Sequence, residues 1–138
     1  MTHRRWRVVA ALLVTASLTG ACAGEPAASP LRSYVLRLRA DDTGDTYRYV
    51  AKDPVDIRVG DQVTFEFDNT GTLIHDLQIV APDGTTIGAA ASTRPGATSE
   101  VTVVFTEGGY FRLNCLVDDH LTVHRMQTVI EVAETMAQ

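Results

Sequence analysis

The sequence is poor in the residues that staple, anchor or catalyse. It has only two cysteines, Cys22 and Cys115, and a single tryptophan, Trp6, in 138 residues. Its longest uncharged apolar stretch, Val8 to Ala21, has 14 residues, whereas a helix needs about 20 to cross a bilayer core, so a permanent transmembrane span is not expected. Lys and Arg form no clustered stripe, which argues against nucleic acid as a partner. There is no internal repeat and no low-complexity block. No serine nucleophile elbow, phosphate loop or zinc-protease motif is present. Asp118 and Asp119 directly precede His120, but in an acidic exposed loop they read as solvated charges. Catalysis is therefore not expected.

What is present begins with an export signal. Arg4, Arg5 and Arg7 precede the apolar stretch, and the stretch ends in the small residues Thr19-Gly20-Ala21 before Cys22. This is the layout of a secretory signal, removed after export. The cysteine after small residues resembles a bacterial lipobox, in which the thiol receives a diacylglyceryl group and the new amino terminus is acylated; more than one chain gives stable anchoring. Thr19 stands where Leu is more usual, so simple cleavage and release stays open beside lipidation. Residues 1–21 are expected as signal peptide, 22–32 as a flexible tether and 33–138 as one domain. The proline-bearing run Gly24 to Pro30 suits a tether, and nine such residues reach at most about 30 Å. Loss of residues 1–21 removes three arginines and no acid, leaving nine basic against 17 acidic residues, a net charge of minus eight. A field of that sign favours partners with a basic docking face. Trp6 leaves with the signal.

If Cys22 is spent on the anchor, Cys115 stands alone in a compartment where disulfides are permitted. A lone extracytoplasmic thiol is liable to oxidation unless it is buried or bound to metal.

Within the domain the apolar pattern has period two, the mark of strands. Val63, Phe65 and Phe67 alternate with Thr64, Glu66 and Asp68; Val101, Val103 and Phe105 share a face. Phe111, Leu113 and Cys115 share another, and Met126, Thr128, Ile130 and Val132 fall in phase near the end. Turn signals separate the runs at Asp53-Pro54, Gly60-Asp61, Asn69-Thr70-Gly71, Pro82-Asp83-Gly84, Arg94-Pro95-Gly96 and Glu107-Gly108-Gly109. Many short strands punctuated in this way predict an all-β fold, a Greek-key antiparallel β-sandwich. Room for a short helical turn exists at about Ile87 to Thr93 and in the loop after Cys115.

Four residues carry the candidate chemistry. His75 has the parity of Leu77 and Ile79, so it faces the core if they do. Cys115 ends a strand of inward Phe111 and Leu113, and His120 follows after four residues, close enough for one loop to turn both toward a point. Met126 opens the last strand on the parity of Ile130. Each alone has an ordinary structural reading. Together, two imidazoles, a thiolate and a thioether make the trigonal site with a weak axial ligand that suits electron-transfer copper. Coordination also explains the lone thiol, because a metal-bound sulfur is deprotonated and cannot pair.

At these residues the sequence resembles the cupredoxins, the small blue-copper proteins that include plastocyanin, azurin and rusticyanin. The run from Ile57 to Gly71 is similar to that family's strand, Gly-Asp turn, strand and Asn-x-Gly approach to its first histidine. The runs Glu107 to Cys115 and Met126 to Val132 resemble its cysteine strand and last strand. The resemblance implies one Cu(I)/Cu(II) ion, with His75, Cys115 and His120 as strong ligands and Met126 as the weak axial one. Five residues separate His120 from Met126, where familiar members have two to four, and His124 lies among them, so either Met126 or His124 is left as the approach to the metal. Asp76 stands where the family commonly has an asparagine tying two ligand loops; an acid there is expected to stabilise Cu(II).

The implied function is outer-sphere electron transfer on the extracytoplasmic face of the cell membrane, with no substrate transformed. Redox-protein donor and acceptor are expected to dock transiently near His120, whose ring edge should reach the surface among Leu116, Val117, Leu121 and Val123. The alternative is extracytoplasmic copper delivery or storage without an electron-transfer role. The chain lacks the several paired histidines of a multicopper oxidase and the two nearby cysteines of a binuclear centre.

Overall fold

The computed structural model describes residues 32–135. The expected signal segment, Cys22 and the tether up to residue 31 lie outside the described residues.

Alternation of apolar and polar side chains makes the strands and decides which face each one buries. In chain order, β1 is Ser33–Asp41, β2 Arg48–Ala51, β3 Ile57–Arg58, β4 Gln62–Asn69 and β5 His75–Val80. They are followed by β6 Thr86–Thr93, β7 Thr98–Val104, β8 Gly109–Asn114 and β9 Gln127–Ala133. In β4 every second residue is buried, Val63, Phe65, Phe67 and Asn69, while Gln62, Thr64, Glu66 and Asp68 are half-exposed. A pleated strand needs this pattern to line a core with one face.

The strands form two sheets, one in the order β2-β1-β4-β7 and the other in the order β3-β9-β8-β5-β6. The all-β sandwich is as expected; β1 with β2, β5 with β6 and β8 with β9 are consecutive strands, while the other neighbours come from distant parts of the chain. Most pairs are antiparallel, but β1 runs parallel to β4 and β3 parallel to β9. The chain leaves the first sheet after β2, contributes β3 to the second, and returns as β4 in the direction of β1. Between the sheets lie Leu36, Leu38, Phe65, Phe67, Leu77, Ile79, Phe105, Phe111 and Leu113, all at most 2% exposed. Phe105 and Phe111 meet edge to face with centroids 5.0 Å apart, a favoured aromatic geometry.

Two expectations about helical turns are corrected or narrowed. Ile87 to Thr93 is not a helical turn but most of β6, paired antiparallel with β5. Gly88 explains the fit: a Cβ there would lie 2.5 Å from Cγ1 of Val103, so the missing side chain lets β6 pass close beneath the facing sheet. The loop after Cys115 does contain one turn of helical type, closed by the Val123 N–H donating to the Asp119 carbonyl at 2.8 Å.

Arg32, expected as the last tether residue, is built into the domain. Its guanidinium reaches the fully buried carboxylate of Asp61 at 2.5 Å and Asp56 at 3.1 Å, and its carbonyl accepts from the Gln62 N–H.

Candidate metal centre

Three segments meet at one end of the sandwich. The first leads from β4 into β5. Asn69 closes β4 with a buried amide whose Nδ2 donates to the carbonyls of Leu73 and Thr93, both at 2.7 Å, while its Oδ1 accepts from the Gly71 N–H at 3.0 Å. These bonds fold the Thr70 to Ile74 loop back on itself and deliver His75, the first residue of β5, facing inward with Leu77 and Ile79. The second is the end of β8, where Phe111 and Leu113 are buried and Cys115 continues their parity into the site. The third is the loop from Leu116 to Arg125. The Met126 N–H donates to the His120 carbonyl at 2.8 Å and the Cys115 N–H donates to the Met126 carbonyl at 3.1 Å, so the backbone of Met126 is tied to both neighbours. Arg125 takes a left-handed φ of 54° just before Met126, and this turn lets the chain accommodate the long interval between His120 and Met126 and still close.

The donor atoms converge. Cys115 Sγ lies 3.4 Å from His120 Nδ1 and 3.8 Å from His75 Nδ1, and the three ligand atoms all fall within 4.8 Å of one another. Nitrogen and sulfur donors about 2.0 to 2.3 Å from a shared ion stand roughly 3.4 to 3.8 Å apart, so the set fits a metal without rearrangement. His75 and Cys115 are fully buried and His120 is 4% exposed. Met126 is fully buried with them in the core. His124 is outside this group: its ring stacks on Tyr47 with centroids 4.1 Å apart, and its Nδ1 lies 3.2 Å from the Asp45 carbonyl.

Burial dominates the electrostatics of the cluster. It pushes the Cys115 thiol up from its ordinary value, while backbone N–H donors oppose it. It pushes the His75 imidazole down, against the Asp42 carboxylate, which favours the charged ring. Both shifts favour a neutral thiol and a neutral imidazole, so a metal entering here displaces the thiol proton.

Sequence reasoning brought His75, Cys115 and His120 together correctly but misjudged the surface of His120. The ring edge expected to reach solvent is almost covered: Tyr47 sits edge-on to His120 at 5.1 Å and carries the stacked His124. What remains open is a groove over His120 lined by Tyr47, Leu73, Ile74, Pro95, Val117, Asp118, Asp119 and His124. Of the aliphatic residues expected around it, Leu116 and Val123 are well exposed. Leu73 and Ile74, 42% and 44% exposed, were not anticipated, although their position just before His75 was a signal.

Asp42 and Tyr47 were missed because they precede His75 by a long stretch of chain, and no spacing rule connects them to it. Asp76 was anticipated. Its Oδ1 accepts from the Leu116 N–H at 2.7 Å, joining the first-histidine strand to the cysteine loop.

No protein-family model matches the sequence, and no curated protein sequence matches it. Solved structures do match. The dithionite-reduced auracyanin of the photosynthetic bacterium Roseiflexus castenholzii aligns with a TM-score of 0.58 at 18% identity, over 77% of this chain and 99% of that one. Auracyanin A of Chloroflexus aurantiacus, described as a "blue" copper protein, aligns with a TM-score of 0.58 at 14% identity, over 75% and 99%. A multi-copper oxidase from Pediococcus acidilactici aligns with a TM-score of 0.54 at 22% identity, over 79% of this chain but 28% of that one. At these identities the likeness is one of fold.

Proposed function

We propose that this chain, a cupredoxin-like sandwich with a buried His-Cys-His cluster, binds one copper ion and carries electrons singly, transforming no substrate. The observation that carries the reading is the convergence of Cys115 Sγ with the Nδ1 atoms of His75 and His120 in a closed apolar wall. His75, Cys115 and His120 would hold the ion as the strong donors, with the buried Met126 as a weak fourth one. Copper in such a donor set supplies a one-electron couple between Cu(I) and Cu(II). The protein's part is to hold the donors still and dry. The Met126, Cys115 and Leu116 N–H groups are each bonded within the site, Asn69 fixes the first-histidine loop, and burial keeps water from the thiolate.

Electron donor and acceptor are redox proteins that meet the groove over His120, which Leu73, Ile74 and Val117 help to line, with Leu116, Leu121 and Val123 of the same ligand loop as further contacts. Small apolar interfaces of this kind suit carriers that must release quickly. The chain is exported, and Cys22 holds it by lipid to the extracytoplasmic face of the cell membrane. Leu121→Asp is expected to slow electron exchange with the natural partner while leaving the copper spectrum unchanged; an unaffected rate would move the docking face elsewhere.

The deciding experiment loads the protein with Cu(II) and records its absorption. An intense visible band from thiolate-to-copper charge transfer, bleached by a one-electron reductant and absent from Cys115→Ser, is the expected result. A colourless oxidised protein would sink the reading. Copper retained for hours against a chelator fits the buried donors of a carrier, and rapid exchange would instead favour copper delivery.

A further inference from the structure

Asp42 directly follows β1, and its side chain is 1% exposed. Its Oδ2 accepts from the Thr72 N–H at 2.6 Å and the Leu73 N–H at 2.7 Å and lies 3.3 Å from His75 Nε2, with the Thr72 hydroxyl at 3.4 Å. Its Oδ1 is buried and has no hydrogen-bond partner among the described residues. The approach is built into the loop, since a Cβ at Gly71 would lie 2.5 Å from Oδ2. Other acids of the domain have cationic neighbours: Asp41 has Arg48, Asp53 has Arg37 and Asp61 has Arg32. Among the described residues Asp42 has no Lys or Arg within ion-pair distance, and only His75 stands in that place.

A carboxylate accepts and never donates, so the contact requires His75 to carry its proton on Nε2. That leaves the Nδ1 lone pair facing Cys115 Sγ, where a metal ligand is needed. A buried anion with no fixed counter-charge also discriminates between oxidation states. With the Cys115 thiolate it balances Cu(II) to neutrality, whereas beside Cu(I) it leaves one net negative charge in a dry site, which is costly.

We propose that Asp42 is a positioning residue of the copper centre, holding His75 in the Nε2–H tautomer and favouring the oxidised ion, so that the reduction potential is set lower than the four ligands alone would give. This rests on the copper reading above, and it concerns the carboxylate-to-imidazole contact behind the ligand. The electron balance is simple: one electron from the donor protein converts Cu(II) to Cu(I), and Asp42 keeps its charge throughout.

Two variants separate the two roles. Asp42→Asn keeps an acceptor oxygen and removes the charge; Asp42→Ala removes both. In copper-free wild-type protein, nitrogen NMR of the imidazoles is expected to show a single Nε2–H form for His75, retained in Asp42→Asn and lost in Asp42→Ala. In loaded protein, Asp42→Asn is expected to lose about tenfold in Cu(II) affinity relative to Cu(I), which raises the potential by about 59 mV. An Nδ1–H form in wild type overturns the positioning role. Equal loss of affinity for both ions, with the potential unmoved, overturns the electrostatic role and leaves Asp42 as a loop brace. Failure of wild type to bind copper overturns the function proposed above, and the tautomer measurement still decides the positioning role because it needs no metal.

Discussion

Asp76 shows how much one side chain contributes beyond its shape. Its Oδ1 accepts the Leu116 N–H at 2.7 Å and couples two ligand-bearing segments, a bond an asparagine would make equally well through its own oxygen. The difference between the two residues is charge, which at this half-exposed position is partly screened by water. Asp76→Asn is therefore expected to keep stability and copper content while raising the reduction potential, by less than Asp42→Asn does. An unchanged potential in voltammetry would refute it. Residues of this kind divide into those legible in the sequence and those not. His75 was legible because strand parity with Leu77 and Ile79 aims it inward, and Cys115 because it extends the parity of Phe111 and Leu113. Asp42 was not, because its contact to His75 spans two loops and depends on Gly71 giving way, which only the packed structure reveals.

Among the elements, β6 is the instructive case. Gly88-Ala89-Ala90-Ala91 offers no apolar alternation, and alanine has the strongest helix propensity, so the segment reads as a helical turn. It is a strand because pairing with β5 and closeness to β7 override local preference. Gly88 is where the closeness is tightest. A valine there would drive its Cβ against Val103 and Val101, and Gly88→Val is expected to cost about 1 to 3 kcal/mol as overpacking, read as a lower urea midpoint. Stability equal to wild type would mean the two sheets can part at this point without loss. The strands β4, β5, β7, β8 and β9 were legible from period-two patterning, whereas β1 and β2 were not singled out, and partner choice was not legible: the alternation in β4 is the same whether its neighbour runs parallel or antiparallel. The ligand loop was legible as a loop, while the left-handed turn at Arg125 that closes it was not, since nothing marks an arginine for that backbone region.

For the molecule as a whole, acid is the expected weak point. The Arg32 guanidinium holds the Asp61 carboxyl below its ordinary value, and Asp41, Asp53 and Asp68 are lowered through their own hydrogen-bond partners. A carboxyl lowered by folding takes up its proton in the unfolded chain first. Its stabilisation is therefore complete above the ordinary carboxylate range and is lost as pH falls through the folded value. Unfolding midpoints in urea should fall steadily below about pH 4. Asp61→Asn should be less stable at neutral pH and fall less steeply in acid; a variant with the wild-type slope would remove this pair from the account.

The same Arg32 contact has a geometric outcome. It seals the start of β1, while the other end of that strand runs straight into Asp42 behind His75. Nine residues at about 3.3 Å each put roughly 30 Å between them. The chain thus enters the domain at the far pole from the donor cluster, with the β1 to β4 ladder lying between that entry and His75. The donor cluster is left at the opposite pole, clear of the point where the chain enters the domain.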